Sequence, residues 1–204
     1  MTPPEQGAPN VGRRPYGPDV GEPPPFVDPR RGGSLVGLLG GMVFVGSYAP
    51  ALGPVATAVA WTAGLAGVLL ALVAHYVRPV RLGPLVRPSR VALATYLACV
   101  VAEVVLIAVG SAALADAGRT ALRPALVATV VGLHFLPFAW AFRERMFHLL
   151  GGAVAGLGLA GLLLGAAGVR RAAEVAAVLS GLVMIALVLR YARGGFAPAS
   201  PSTP

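Results

Sequence analysis

Glu103 is a carboxylate in the middle of a long apolar run, and Thr95 and Cys99 precede it at four-residue spacing. Residues four apart lie on one face of a helix, so the three side chains form a narrow polar stripe. A charged carboxylate at the centre of a lipid bilayer costs roughly 3 kcal/mol, so we expect Glu103 to be neutral, paired or exposed to water. The stripe, which Gly110 nearly continues, is therefore predicted to face the protein interior.

His134 lies well inside the next apolar run, and Pro137 follows it three residues later. Proline has no amide hydrogen and leaves the carbonyl of Leu133 without its helical donor, which predicts a kink beside His134. The two runs are joined by a short connection and should be antiparallel, so Glu103 and His134 could meet near the membrane midplane. A carboxylate–imidazole pair can relay a proton or hold a solute near neutral pH, and the structural alternative is a hydrogen-bonded lock between two helices. The candidate binding or relay residues are Glu103, His134, Thr95, Cys99 and Pro137.

The composition requires a membrane around these residues. Hydrophobic residues make up 56% of the 204 residues and charged residues only 12%, whereas soluble domains carry roughly 25% charged residues. Too few polar side chains are present to cover a surface that faces water. We therefore predict an all-α, polytopic protein that is covered by lipid.

Six apolar segments are long enough, or nearly so, to cross a bilayer, which takes about 20 helical residues. The first segment is short unless Gly32 and Gly33 belong to it, and Ser89 is placed to cap the third. The fold predicted is a bundle of six transmembrane helices at about 34–49, 55–77, 90–114, 121–142, 146–167 and 172–191.

Both ends of the chain are predicted to be disordered tails, at residues 1–33 and 193–204. The N-terminal tail is rich in proline and cannot bury enough apolar surface to offset the entropy of ordering. Its Pro-Pro-Pro-Phe run at 23–26 could dock on an aromatic groove of a partner.

All 16 basic residues are arginines, and the net charge is +8. The arginines lie in small groups between apolar runs rather than in one patch, so nucleic-acid binding is not favoured. With the N-terminus inside, twelve arginines fall on cytoplasmic segments and four on outer ones. This bias predicts a multi-pass protein of the cell membrane, inner or plasma membrane, with both termini in the cytoplasm.

Small residues recur at helix-packing spacing and predict close helix contacts, including a homo-oligomer through Gly and Ala faces. The three sets are Gly33, Gly37 and Gly41; Gly152, Gly156 and Ala160; and Ala173, Ala177 and Gly181. Cys99 is the only cysteine, so no zinc-ligand spacing exists and neither a metal nor a cofactor is predicted.

The stretch GLHFLPFAWAF at 132–142 resembles small bacterial multi-pass membrane proteins of unknown function. They carry a Gly-x-His-Phe-x-Pro-x-Ala signature, matched here by Gly132, His134, Phe135, Pro137 and Ala139. The match covers about a dozen residues. The resemblance implies a membrane protein family and transfers no activity.

Three functions remain open from the sequence. The first is a non-enzymatic membrane protein, with a proton-linked or small-solute path at Glu103 and His134 as its centre. The second is a membrane-embedded enzyme that acts on a lipid or isoprenoid, with His134 as acid/base. The third is a membrane scaffold that recruits a partner through the proline-rich tail. No nucleotide-binding, metalloprotease or serine-hydrolase motif is present, so an enzyme is the less favoured class.

Overall fold

The computed structural model describes residues 24–80, 82, 89–142 and 144–196, and every regular element in these ranges is helical. Short 3-10 turns at Ala49–Leu52 and Thr120–Leu122 precede α2 and α4, and α2 continues as a π-helix over Val73–Val77. The six long helices are α1 (Pro29–Tyr48), α2 (Pro54–Leu72), α3 (Arg90–Asp116), α4 (Arg123–Phe142), α5 (Arg145–Ala166) and α6 (Ala172–Ala192).

All six helices are long and apolar enough to cross a membrane. The bounds of α2 to α6 lie within two residues of the predicted segments when the π-helix is counted with α2. Ser89 caps α3 as predicted, because its side chain accepts a hydrogen bond from the amide of Ala92. Local sequence signals therefore account for the helix count and most helix ends.

The first helix differs from its prediction, because it begins at Pro29 instead of Ser34. The side chain of Asp28 accepts a hydrogen bond from the amide of Arg30 at 2.9 Å, and the proline occupies the first turn, where no amide donor is needed. The predicted tail boundary at residue 33 is thus too late, since Gly32 and Gly33 belong to the helix. Residues 1–23 and 197–204 of the two predicted tails lie outside the described residues.

Helix α6 is at the centre of the bundle and packs against α1, α2, α4 and α5. The core between these helices contains Phe44 from α1, Val131 from α4, Val154 from α5 and Met184 from α6. Helix α3 is peripheral: it packs mainly on α4 and on the turn before it. Ala92 is its only buried residue. The position of α3 therefore depends on the seam that it shares with α4.

Two of the three predicted small-residue faces meet each other in the α1–α6 contact. A methyl group on Gly41 would lie 2.8 Å from the carbonyl oxygen of Gly181, so the backbones approach too closely for a larger residue. The third face, Gly152, Gly156 and Ala160, is exposed on α5. The opposite side of α5 packs on α4 instead, where a methyl group on Gly132 would overlap the backbone of Ala155. Oligomerisation through the exposed face of α5 stays a prediction.

Candidate functional site

The predicted polar stripe of α3 faces α4. Thr95, Cys99 and Glu103 are half-buried, while residues on the opposite face of α3, such as Val101 and Val104, are exposed. Gly110 continues the same face, where Leu126 of α4 packs against it. The four-residue spacing thus places the stripe in the α3–α4 seam.

Glu103 and His134 come into direct contact across this seam. The Oε2 atom of Glu103 lies 3.2 Å from Nδ1 of His134, and the two side chains are 21% and 13% exposed. The two atoms are within ion-pair distance, but their alignment does not form a hydrogen bond, and among the described residues Nδ1 of His134 has no hydrogen-bond partner.

Aromatic rings also pack against the imidazole. The ring centroid of His134 lies 4.1 Å from that of Phe135 and 5.1 Å from that of Phe138. Phe138 in turn stacks on Tyr96 of α3 at 5.3 Å. The imidazole is therefore packed between apolar rings and one carboxyl group.

Near this end of α4 the sequence predicts an interfacial aromatic belt of Phe135, Phe138, Trp140, Phe142 and Phe147, but the five side chains fall into two sets. Phe135, Phe138, Phe142 and Phe147 pack on one another between α4 and α5. Trp140 alone of the predicted group points outward, with 69% exposure. Helical periodicity separates the two sets, because residues 135, 138 and 142 share a face that 140 does not.

Pro137 lies inside α4, which continues through it to Phe142. The carbonyl of Leu133 has no amide donor at the proline and lies one residue from His134. Surrounding packing holds the helix together at this point, because the neighbouring Phe138 and Ala139 are both buried. The kink predicted from the sequence stays a prediction.

The contact between Glu103 and His134 can hold one proton without a net charge. That proton can lie on the carboxyl group beside a neutral imidazole, or on the imidazole beside a carboxylate. Both forms keep a donor facing an acceptor, whereas gain or loss of a proton leaves a net charge in apolar surroundings. Within the described residues no group of three metal-ligating side chains occurs.

A second polar cluster, which no motif in the sequence predicts, lies at the end of the bundle where α1 begins and α2 ends. Arg31 is 2% exposed. Its Nη1 donates to the carbonyl oxygen of His75 at 2.6 Å, and its Nη2 donates to that of Val80 at 3.0 Å. The guanidinium thereby caps the π-helical end of α2, where carbonyl groups lack helical donors.

The position of His75 near the end of the second apolar segment predicts an interfacial side chain, but in the structure this side chain is completely buried. Its Nδ1 lies 3.4 Å from Nη1 of Arg31. Arginine only donates hydrogen bonds, so a hydrogen bond across this distance requires the tautomer with Nδ1 unprotonated and the proton on Nε2. In the described part of the chain Nε2 has no partner. The prediction failed because distance along α2 says nothing about which segment covers its end.

Asp28 and Glu144 add two carboxyl groups to this end of the bundle. Asp28 is buried and accepts hydrogen bonds from Nε and Nη2 of Arg30 at 3.0 and 2.8 Å. Burial alone would raise the pKa of Asp28, but hydrogen bonds from Arg30 and the charges of Arg30 and Arg31 outweigh burial and lower the pKa. Burial raises the pKa of Glu144, and the charge of Arg30 opposes this only partly.

One sequence signal could have revealed part of the cluster. An aspartate followed by proline marks a helix start, and it would have moved the start of α1 to include Arg31. No pattern in the sequence indicates that Arg31 reaches the end of α2.

Comparison of the chain with protein-family models, with curated proteins and with solved structures found no match. The resemblance at residues 132–142 therefore stays a prediction, and the function is argued from the geometry of the α3–α4 seam.

Proposed function

We propose that this chain is a non-enzymatic integral membrane protein of the bacterial inner membrane, with six spans and both termini in the cytoplasm. Six helices of sufficient length and apolarity support the number of spans. The excess of arginines on the segments assigned to the cytoplasm supports the orientation.

The central element of the proposal is a lock between Glu103 and His134 that holds α3 on α4. The distance of 3.2 Å between Oε2 and Nδ1 is the observation that carries it. Helix α3 packs mainly on α4, so this polar contact is well placed to set its register and position. The pair has no net charge only when the carboxylate and Nδ1 share one proton. We therefore expect the contact to weaken when a proton is added to the pair or removed from it.

A lock explains the geometry better than a transport path does. A relay needs polar groups or water that lead away from the pair on both sides. One turn beyond Glu103, Ile107 packs against the apolar core, and Gly110 is covered by Leu126. Ser111, which accepts a hydrogen bond from Nε of Arg123 at 3.0 Å, lies two turns away from Glu103. We therefore propose a structural role for the pair.

The enzyme and scaffold hypotheses receive less support. An enzyme would need a groove for a lipid that reaches His134, whose ring is instead packed against Phe135 and Phe138. The scaffold hypothesis depends on the N-terminal tail, most of which lies outside the described residues.

A double-mutant cycle in detergent tests the lock. We expect Glu103→Ala and His134→Ala each to lower the free energy of unfolding and the double variant to cost less than their sum. The coupling should be about 0.6–1.7 kcal/mol, the range of polar contacts between membrane helices. Val104→Ala serves as the control, because Val104 is exposed on the far face of α3 and its effect should add to that of His134→Ala. Additive effects of Glu103→Ala and His134→Ala would refute the lock.

The position of α3 gives a second test. In a Cys99→Ser background, cysteines replace exposed Ala98 of α3 and exposed Ala186 of α6 and carry spin labels. Electron paramagnetic resonance then measures the distance between the two labels. We expect Glu103→Ala to broaden or lengthen this distance and Val104→Ala to leave it unchanged. Proton flux into liposomes that Glu103→Gln abolishes would instead favour the relay.

A further inference from the structure

We propose that one end of the bundle is a binding surface for anionic phospholipid headgroups. This end, here called the basic end, comprises the start of α1, the end of α2, the start of α3, the α4–α5 connection and the end of α6. The inference rests on the proposed insertion in a membrane and adds the chemistry of the lipid.

The two ends of the bundle differ in charge. Among the described residues, the basic end has seven arginines and two carboxylates, a net charge of +5, and the opposite end has four arginines and two carboxylates, a net charge of +2. The basic end contains Arg30, Arg31, Arg78, Arg90, Arg145, Arg190, Arg193, Asp28 and Glu144. The opposite end contains Arg119, Arg123, Arg170, Arg171, Asp116 and Glu174.

The fold also withdraws the carboxylates of the basic end from its surface. Asp28 is buried against Arg30, and Glu144 is half-buried. At the opposite end Asp116 is exposed and Glu174 is half-buried. The exposed charged residues described at the basic end are all arginines, namely Arg78, Arg90, Arg145, Arg190 and Arg193.

Apolar side chains are also exposed at the basic end. Phe26 and Val27, just before α1, are 82% and 71% exposed, and Phe26 stacks on Tyr76 at 5.2 Å. Exposed Trp140 lies two residues before the end of α4. Aromatic side chains favour the level of the headgroups, and guanidinium groups match the geometry of phosphate.

This combination fits a lipid leaflet better than a soluble anion or an acidic protein. The exposed arginines are spread over the end of α2, the start of α3, the start of α5 and the end of α6, rather than lying on one helix. Basic residues next to a membrane each strengthen attraction to anionic lipid by about fivefold. We therefore expect phosphatidylglycerol to be preferred over phosphatidylcholine at the basic end.

The two tryptophans allow each end to be measured separately. Trp61 lies in the first half of α2, toward the opposite end, and Trp140 lies near the basic end, and both side chains are exposed. Trp61→Phe leaves Trp140 as the reporter, and Trp140→Phe leaves Trp61. In phosphatidylcholine vesicles, quenching by brominated phosphatidylglycerol relative to brominated phosphatidylcholine gives the lipid preference at each tryptophan.

We expect the preference for phosphatidylglycerol to be severalfold higher at Trp140 than at Trp61 and to fall as salt is added. Arg90→Gln with Arg145→Gln should reduce it at Trp140, whereas Arg119→Gln with Arg170→Gln should not. Equal preference at both tryptophans, or no change in Arg90→Gln with Arg145→Gln, would overturn the proposal.

Quenching by brominated phosphatidylcholine tests membrane insertion separately from the proposed headgroup surface. Quenching of both tryptophans by this neutral lipid shows that the bundle is in the bilayer, so an equal lipid preference would then reject only the headgroup surface. Absence of that quenching would reject membrane insertion and, with it, the surface. The first comparison uses no arginine variant, so impaired folding of a variant cannot decide it.

Discussion

The guanidinium of Arg31 closes the end of α2 from a different helix, since its Nη1 lies 2.6 Å from the carbonyl oxygen of His75. A buried arginine that donates to backbone carbonyls ties the start of α1 to the end of α2. Its position at the negative end of the α2 helix dipole adds to the stabilisation.

Arg31→Gln should destabilise the protein by about 2–4 kcal/mol, because it removes a charged donor and leaves buried carbonyl groups unpaired. Thermal or denaturant unfolding in detergent measures the effect. Arg78→Gln is the matched control, since Arg78 is exposed and its loss should cost less than about 0.5 kcal/mol. Equal effects of the two substitutions would contradict the cap.

Asp28 should make the stability of the protein depend on pH in the acidic range. Its pKa in the folded protein is lowered below the ordinary value of 3.8, so its contribution is complete above that value and is lost as the pH falls through the folded pKa. The contribution of Asp28 should leave the unfolding temperature nearly constant from pH 7 down to about pH 5 and should lower it at more acidic pH. Asp28→Asn should flatten this acid limb, and an unchanged limb would argue against the Asp28–Arg30 contact.

Glu144 should have the opposite pH dependence. Burial raises its pKa in the folded protein above the ordinary value of 4.5, so the folded state binds the proton more tightly than the unfolded state does. Ionisation therefore opposes folding as the pH rises from 4.5 toward the folded pKa, and Glu144→Gln should stabilise the protein at neutral pH. A loss of stability in Glu144→Gln at pH 7 would show that the carboxylate makes a favourable contact.

Two glycines in the paired helices α4 and α5 should respond differently to alanine. Gly132→Ala would place a methyl group on the backbone of Ala155 and must push α4 and α5 apart. We expect a loss of about 1–3 kcal/mol, as for other overpacked cores.

Gly152→Ala is the control for this substitution, because no atom lies within 4 Å of the added methyl group. It should be neutral or slightly stabilising, since alanine favours a helix. Unfolding in detergent compares the two variants. If Gly152→Ala destabilised the protein in a bilayer but not in detergent, we would infer that the exposed face of α5 is a contact between copies of the chain.

The α3–α4 seam shows how far sequence reasoning reaches into the site. Four-residue spacing placed Thr95, Cys99 and Glu103 on one face, and antiparallel order placed Glu103 and His134 at similar depth. Helix geometry and chain connectivity alone predict the shared face and the similar depth, without any knowledge of side-chain packing. The distance of 3.2 Å, and the aromatic rings that pack against His134, depend on side-chain packing that periodicity does not encode.

The amino-acid sequence by itself determined six apolar helices, their order and most of their ends, because length, hydrophobicity and caps act over a few neighbouring residues. Only the tertiary structure decided that α6 is central and α3 peripheral, that Arg31 and His75 are buried together, and that Gly152 and Gly156 face outward. The apolar helices are hydrophobic on nearly all sides, so composition cannot tell an outward-facing surface from a face that meets another helix. Shape decides this choice, through close backbone approaches such as the one between Gly41 and Gly181.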